Sequence, residues 1–164
     1  MQIEEPSNDT FWIHAASRSR IEDLKKRLDA LGSTEILDGL EAGIVLRLQH
    51  PDQEPRCAWQ AIQDAVGENN EVHPVLLDSE GDLHYPTGRI NVRFSRAPND
   101  AEVENFARVH NLETRSRNKF VPTQFVFEPR ESSKRYLPDV LKTIRSEELV
   151  NAAWADTLSE YKRV

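Results

Sequence analysis

Residues 89–94 read Arg-Ile-Asn-Val-Arg-Phe, and our fold prediction starts from this stretch. Apolar and polar residues alternate along it, which is typical of a β-strand that buries one face. Successive side chains of a strand point to opposite sides of the sheet, so Ile90 faces a core while Asn91 and Arg93 face outward. The second half of the chain is therefore predicted to begin with a half-buried strand.

The residues after this strand carry alternating helix and strand signals. Asn99 and Glu102 have the spacing of a capping box, which predicts the start of a helix. Pro138 marks a second helix start, because proline is favoured at the first helical position. The remaining signals in this half predict strands at 112–119, 124–128 and 149–154.

The first half shows the same order of elements. Ser19 and Glu22 have capping-box spacing ahead of one helix, and Pro55 stands near the start of another. Cys57, on that second helix, is predicted to be buried, as free cysteines usually are. Strands are predicted at 11–16, 34–37, 44–48 and 71–77.

Both halves thus read strand, helix, strand, strand, helix, strand, which is the order of the ferredoxin-like βαββαβ unit. We predict an α+β protein with two such modules in tandem, residues 1–80 and 89–164, joined by a linker at 81–88 that is rich in turn formers. Right-handed crossovers place both helices of each module on one face of a four-stranded antiparallel sheet. The other face of each sheet is expected to stay open for a partner.

The charge distribution restricts the class of partner. The 164 residues carry a net charge of −7, but residues 1–86 hold 7 Lys and Arg against 17 Asp and Glu, whereas residues 87–164 hold 14 against 11. An acidic total argues against nucleic acid as the main partner, because such binding relies on clustered basic residues. The chain begins with acidic and polar residues, and no stretch has the apolar length that spans a membrane. We expect a soluble, cytoplasmic protein that binds neither nucleic acid nor membrane.

The sequence contains no motif that indicates catalysis or a cofactor. No P-loop, G-x-S-x-G or G-x-G-x-x-G pattern is present. The histidines are scattered without metal-ligand spacing, at His14, His50, His73, His84 and His110. We therefore expect no enzymatic activity, no metal and no cofactor.

A basic stripe is predicted on one strand of the second half. Arg115, Arg117 and Lys119 alternate in sequence and are therefore expected to project from the same face of the sheet. Two interpretations stay open at this point. The stripe is either an edge strand that charge protects from unwanted pairing, or a binding patch.

Three stretches of residues 87–164 resemble the prodomains of subtilisin-like serine proteases. They are the strand at 89–94, the helical segment from Pro98 to Leu112, and the ending Leu149-Val-Asn-Ala-Ala-Trp154. Within that ending, residues 150–153 match the Val-x-x-Ala pattern of the last prodomain strand.

This resemblance implies a non-enzymatic protein-binding module, because such prodomains act as folding chaperones and inhibitors of their proteases. It also implies that the open sheet face rests on the protease and that the C-terminal tail adds to the substrate-binding strands. The implied docking face contains Asn91, Arg93, Gln124, Val126 and Glu128, and the implied tail, from Ala155, contains Leu158, Tyr161 and Val164. Two alternatives are an adaptor or scaffold protein that associates through paired sheets, and a small-molecule sensor of the regulatory ferredoxin-like type.

Overall fold

The computed structural model describes residues 4–15, 18–37, 43–49, 54–67, 69–130 and 135–158. Within these ranges the chain is α+β, with four α-helices and an antiparallel sheet of eight strands. The chain divides into two compact units. Unit 1 contains the described residues up to Pro86 together with Thr157 and Leu158, and unit 2 is Thr87–Asp156. None of the described helices is both long and apolar enough to cross a membrane.

Unit 1 has two helices and four strands of its own. They are β1 (Glu5–His14), α1 (Ile21–Asp29), β2 (Gly32–Leu37), β3 (Gly43–Leu48), α2 (Pro55–Val66) and β4 (Glu71–Leu77), with a 3-10 turn at Arg18–Arg20 before α1. The strands lie in the order β2-β3-β1-β4, and neighbouring strands are antiparallel. Because α1 and α2 contact each other as well as the strands, both helices lie on one side of this sheet.

The sheet of unit 1 buries apolar side chains on both faces. Phe11 and Ile13 are fully buried on one face, and Trp12, between them in sequence, is fully buried on the other. We call the second group the Trp12 cluster, which consists of Trp12, Val45, Val75 and Tyr85, with Leu37, Leu83 and Leu158 packed against it. The face that was expected to stay open is therefore filled by residues of unit 1 itself.

Unit 2 repeats the order of elements. Strand β5 (Leu83–Phe94) begins in unit 1 and continues into unit 2, where it is followed by α3 (Asp100–Val109), β6 (Leu112–Arg117), β7 (Gln124–Pro129), α4 (Leu137–Arg145) and β8 (Val150–Leu158). The strands lie in the order β6-β7-β5, and β8 also pairs with β5. The core contains an aromatic group in which Phe94 stands edge-on to Phe106 and Phe125, with ring centroids 5.2 and 5.5 Å apart.

The two predicted capping boxes have different outcomes. At α3 the prediction is confirmed, because the Asn99 side chain accepts a hydrogen bond from the Glu102 backbone N–H and the Glu102 carboxylate accepts one from the Asn99 backbone N–H. At α1 the prediction is wrong, because the helix is capped by Arg20 without a side-chain hydrogen bond. Ser19, the expected cap, lies within the 3-10 turn that precedes the helix.

The second helix of unit 1 has Pro55 in its first turn, as predicted, and it buries Ala58, Ile62 and Val66 together with Trp59 and Gln63. Cys57 is exposed, so the prediction that it is buried is wrong. The reason is the neighbouring Trp59, whose Nε1 donates a hydrogen bond of 2.8 Å to the Val72 carbonyl oxygen. Residues two apart on an α-helix point to nearly opposite sides, so Cys57 faces solvent while Trp59 is buried.

Three strands are longer than the sequence indicates, and the first is β1, which begins at Glu5 and not near residue 11. Residues 83–88, predicted to be linker, belong to β5, and Leu83 pairs with Leu77 of β4. Strand β8 continues to Leu158 and does not end at Trp154, so the first residues of the expected tail are strand. The turn formers before Leu83 close a hairpin between β4 and β5, whereas the prediction treated them as part of a linker between modules.

Candidate functional site

The candidate site is the sheet face of unit 2 that points away from the aromatic core. Strand register places Asn91 opposite Val126 and Arg93 opposite Gln124. Directly opposed residues of antiparallel strands point to the same side of the sheet, and the alternate residues point to the other. All five residues of the predicted docking face therefore share one side, on which each is half-buried or exposed; they are Asn91, Arg93, Gln124, Val126 and Glu128.

Trp154 lies on this same face, although it is not one of the five residues predicted to form the docking face. Its neighbours Ala153 and Ala155 are buried, whereas Trp154 is half-buried and points outward. The Arg93 guanidinium lies 5.7 Å from the centroid of the Trp154 ring, within the range of a cation–π interaction. The signal in the sequence was the position of Trp154 within a predicted strand, one residue after Ala153. We call Trp154 and the five predicted residues together the outer face.

A depression of about 340 Å³ lies at one end of the outer face. It is lined by residues of all four strands of unit 2, namely Arg89, Arg115, Ser116, Val126 and Asp156. Asp156 accepts a hydrogen bond of 3.0 Å from the Thr87 hydroxyl. The end of the sheet therefore combines two guanidinium groups, a carboxylate, a hydroxyl and an apolar side chain.

Charge on the outer face is mixed in sign. The Arg115 guanidinium donates a hydrogen bond to the Glu128 carboxylate. This hydrogen bond and the negative charge of Glu128 both raise the pKa of Arg115. Arg89 and Arg93 are exposed cations on the neighbouring strand. Such a surface offers planar donors, amide groups and one large aromatic ring, which are the groups that recognise polar and apolar parts of another protein.

The predicted basic stripe does not form. A bulge between Thr114 and Ser116 shifts the register of β6 by one residue, so Arg115 and Arg117 point to opposite sides of the sheet. Arg117 pairs with Phe125, and its guanidinium lies 5.4 Å from the centroid of that ring. Lys119 lies beyond the end of β6. The expectation that these three residues share one face is therefore wrong.

The predicted tail residues are in two different situations. Leu158 is part of β8 and packs, partly buried, against the Trp12 cluster of unit 1. Tyr161 and Val164 lie outside the described residues. The structure thus gives Leu158 a role in packing, and the binding role of the other two residues stays a prediction.

Three histidines of the described residues lie beside carboxylates. The pairs are His73 with Glu71, His84 with Asp78, and His110 with Glu147, at 3.3, 2.8 and 2.9 Å. The hydrogen bond from His84, together with those from the Asp82 and Glu80 backbone N–H groups, lowers the pKa of Asp78. Among the residues that the structure describes, no three His, Cys, Asp or Glu side chains are grouped to hold a metal ion.

Comparison with known proteins adds no relative. No protein-family model matches the chain, and neither a curated protein nor a solved structure matches it.

Proposed function

We propose that this chain is a non-enzymatic protein-binding protein built from two ferredoxin-like modules. The strand orders support the modules: β2-β3-β1-β4 in unit 1, and β6-β7-β5 with β8 beside β5 in unit 2. Each order follows from a βαββαβ chain whose first and third strands are central. A cytoplasmic setting is part of the proposal.

The observation that carries the proposal is the composition of the outer face. Trp and Arg are the residues that most often contribute strongly to protein–protein binding, and here Arg93 lies over Trp154 on a face with mixed charges. A nucleic-acid surface requires a dense excess of basic groups. Glu128 and Asp156 reduce that excess here, so a protein partner fits this face better.

The class of partner that we propose is a subtilisin-like serine protease, with the chain acting as its propeptide-type inhibitor or folding chaperone. The support is the resemblance of β5, α3 and β8 to the prodomains of these proteases. In this arrangement the outer face rests on the protease surface. Because Leu158 packs within unit 1, strand addition to the protease is assigned to residues 159–164.

The experiment is a titration of the protein into a purified subtilisin-like protease, with binding measured by calorimetry and inhibition by peptide hydrolysis. We expect a one-to-one complex, and about tenfold or more weaker binding for Arg93→Ala, because the variant loses an outer-face cation and its contact with Trp154. Arg108→Ala is the matched control, since Arg108 is an exposed arginine of α3. Deletion of 159–164 should reduce inhibition more than binding.

The outcomes separate the parts of the proposal. Absence of any complex with the wild-type chain rejects the protease as the partner. Equal losses for Arg93→Ala and Arg108→Ala reject the outer face as the docking surface. Inhibition that survives removal of residues 159–164 rejects strand addition by this segment.

A further inference from the structure

The turn between β6 and β7 presents an aromatic side chain to solvent. Phe120 is 93% exposed and the next residue, Val121, is 37% exposed. Phenylalanine is among the residues most often buried in soluble proteins, because its ring contributes more to stability inside a core than in water. An almost fully exposed ring beside a second exposed apolar residue therefore suggests contact with a partner.

Hydrogen bonds hold this turn in one conformation. The Asn118 side-chain oxygen accepts from the backbone N–H groups of Phe120 and Val121, at 2.9 and 3.1 Å. The Asn118 backbone N–H donates to the Gln124 carbonyl oxygen, and the Gln124 N–H donates to the Val121 carbonyl oxygen, both at 3.0 Å. These bonds restrain the backbone at Phe120, and its ring lies in solvent. A fixed anchor loses less conformational entropy on binding than a mobile one.

The charged residues around the turn indicate which groups surround the partner pocket that binds Phe120. Lys119 directly precedes Phe120 and is exposed, and the Arg117 guanidinium lies over Phe125 at the start of the turn. On the other side, Gln124 follows the turn and is the first outer-face residue of β7. An apolar ring flanked by cations is complementary to an apolar pocket with carboxylates at its rim.

We infer that Phe120 is an anchor residue that inserts into an apolar, carboxylate-rimmed pocket on the protein that docks against the outer face. This inference rests on the proposed function and adds the contact that fixes the partner's position. A protein pocket fits better than a lipid surface, because the outer face next to the turn carries Gln124, Asn91 and Glu128, which would lose hydration against lipid.

The test compares two exposed apolar residues. Phe120→Ala and Val109→Ala both remove side chains from the surface, at 93% and 61% exposure, so both variants should fold as the wild type does. With a purified subtilisin-like protease as the probe, we expect Phe120→Ala to weaken binding by about 10- to 100-fold and Val109→Ala by less than about twofold. Lys119→Glu should slow association at low salt, and added salt should reduce the difference.

Each result has a distinct meaning. If the wild-type chain does not bind the protease, the proposed function fails and this inference fails with it. If the wild type binds and Phe120→Ala binds equally well, the inference is overturned and the proposed function stands. If the wild type binds phosphatidylcholine–phosphatidylserine vesicles and Phe120→Ala does not, the ring is a membrane contact and the protein-pocket assignment is overturned.

Discussion

Replacement of Phe94 by alanine tests the assignment of the unit 2 core. Phe94 is 3% exposed, and its ring packs edge-on against Phe106, Phe125 and Phe127, with centroid distances of 5.2, 5.5 and 6.3 Å. The variant loses these contacts and leaves a cavity that the surrounding β-strands and α3 fill only in part. The same substitution at Phe120, 93% exposed, removes a side chain that makes no core contact and serves as the matched control.

The expected magnitude follows from burial. Truncation of a buried phenylalanine to alanine costs about 3–5 kcal/mol, and each lost aromatic pair adds about 0.5–1.5 kcal/mol within that range. Because Phe94 has three ring neighbours, we expect a loss of about 4–5 kcal/mol in the free energy of unfolding of unit 2. Phe120→Ala should change it by less than about 0.5 kcal/mol.

The assay must report on unit 2 alone, since a chain with two units need not unfold in one step. Trp154 is the one tryptophan of residues 87–156, so 19F NMR of protein labelled with 5-fluorotryptophan follows unit 2 during urea unfolding. With a denaturant slope of about 2 kcal/mol/M, Phe94→Ala should lower the urea midpoint by about 2 M. Similar midpoints for Phe94→Ala and Phe120→Ala would falsify the placement of Phe94 in the core.

Two further predictions concern a glycine of unit 1 and a carboxylate of unit 2. Gly43→Ala should destabilise the folded chain by about 1–3 kcal/mol in thermal unfolding. The reason is that the new Cβ would lie 2.2 Å from Trp12 Cη2 and 2.7 Å from the Ile13 carbonyl oxygen. An unchanged melting temperature would contradict this close approach. The Arg96 guanidinium and the Asn99 backbone N–H lower the pKa of Glu102 to about 2. A lowered pKa stabilises the folded state fully above the ordinary value of about 4.5, and this contribution is lost as pH falls towards 2. NMR titration should find that Arg96→Gln raises this pKa, and an unchanged value would show that the ion pair does not cause the shift.

Features that depend on short-range periodicity were predictable. The cap of α3 requires only Asn99 and Glu102 three residues apart, and the structure contains both hydrogen bonds. The alternation in β5 and β7 placed Asn91, Arg93 and the outward residues of β7 on one side, because side-chain direction in a regular strand depends only on parity. The same logic failed in β6, where a bulge at Arg115 changes the parity and separates it from Arg117.

Features that depend on pairing between distant residues required the tertiary structure. Leu158 packs against the Trp12 cluster, whose other residues are far away in sequence. Trp154 joined the candidate site because β8 pairs with β5 and brings its ring to Arg93. The amino-acid sequence alone thus determined the order of elements, the α3 cap and the outward residues of the central strands. The bulge, the end of β8 and the Arg93–Trp154 contact were decided by the folded chain, because a local pattern does not specify which partner residue a side chain meets.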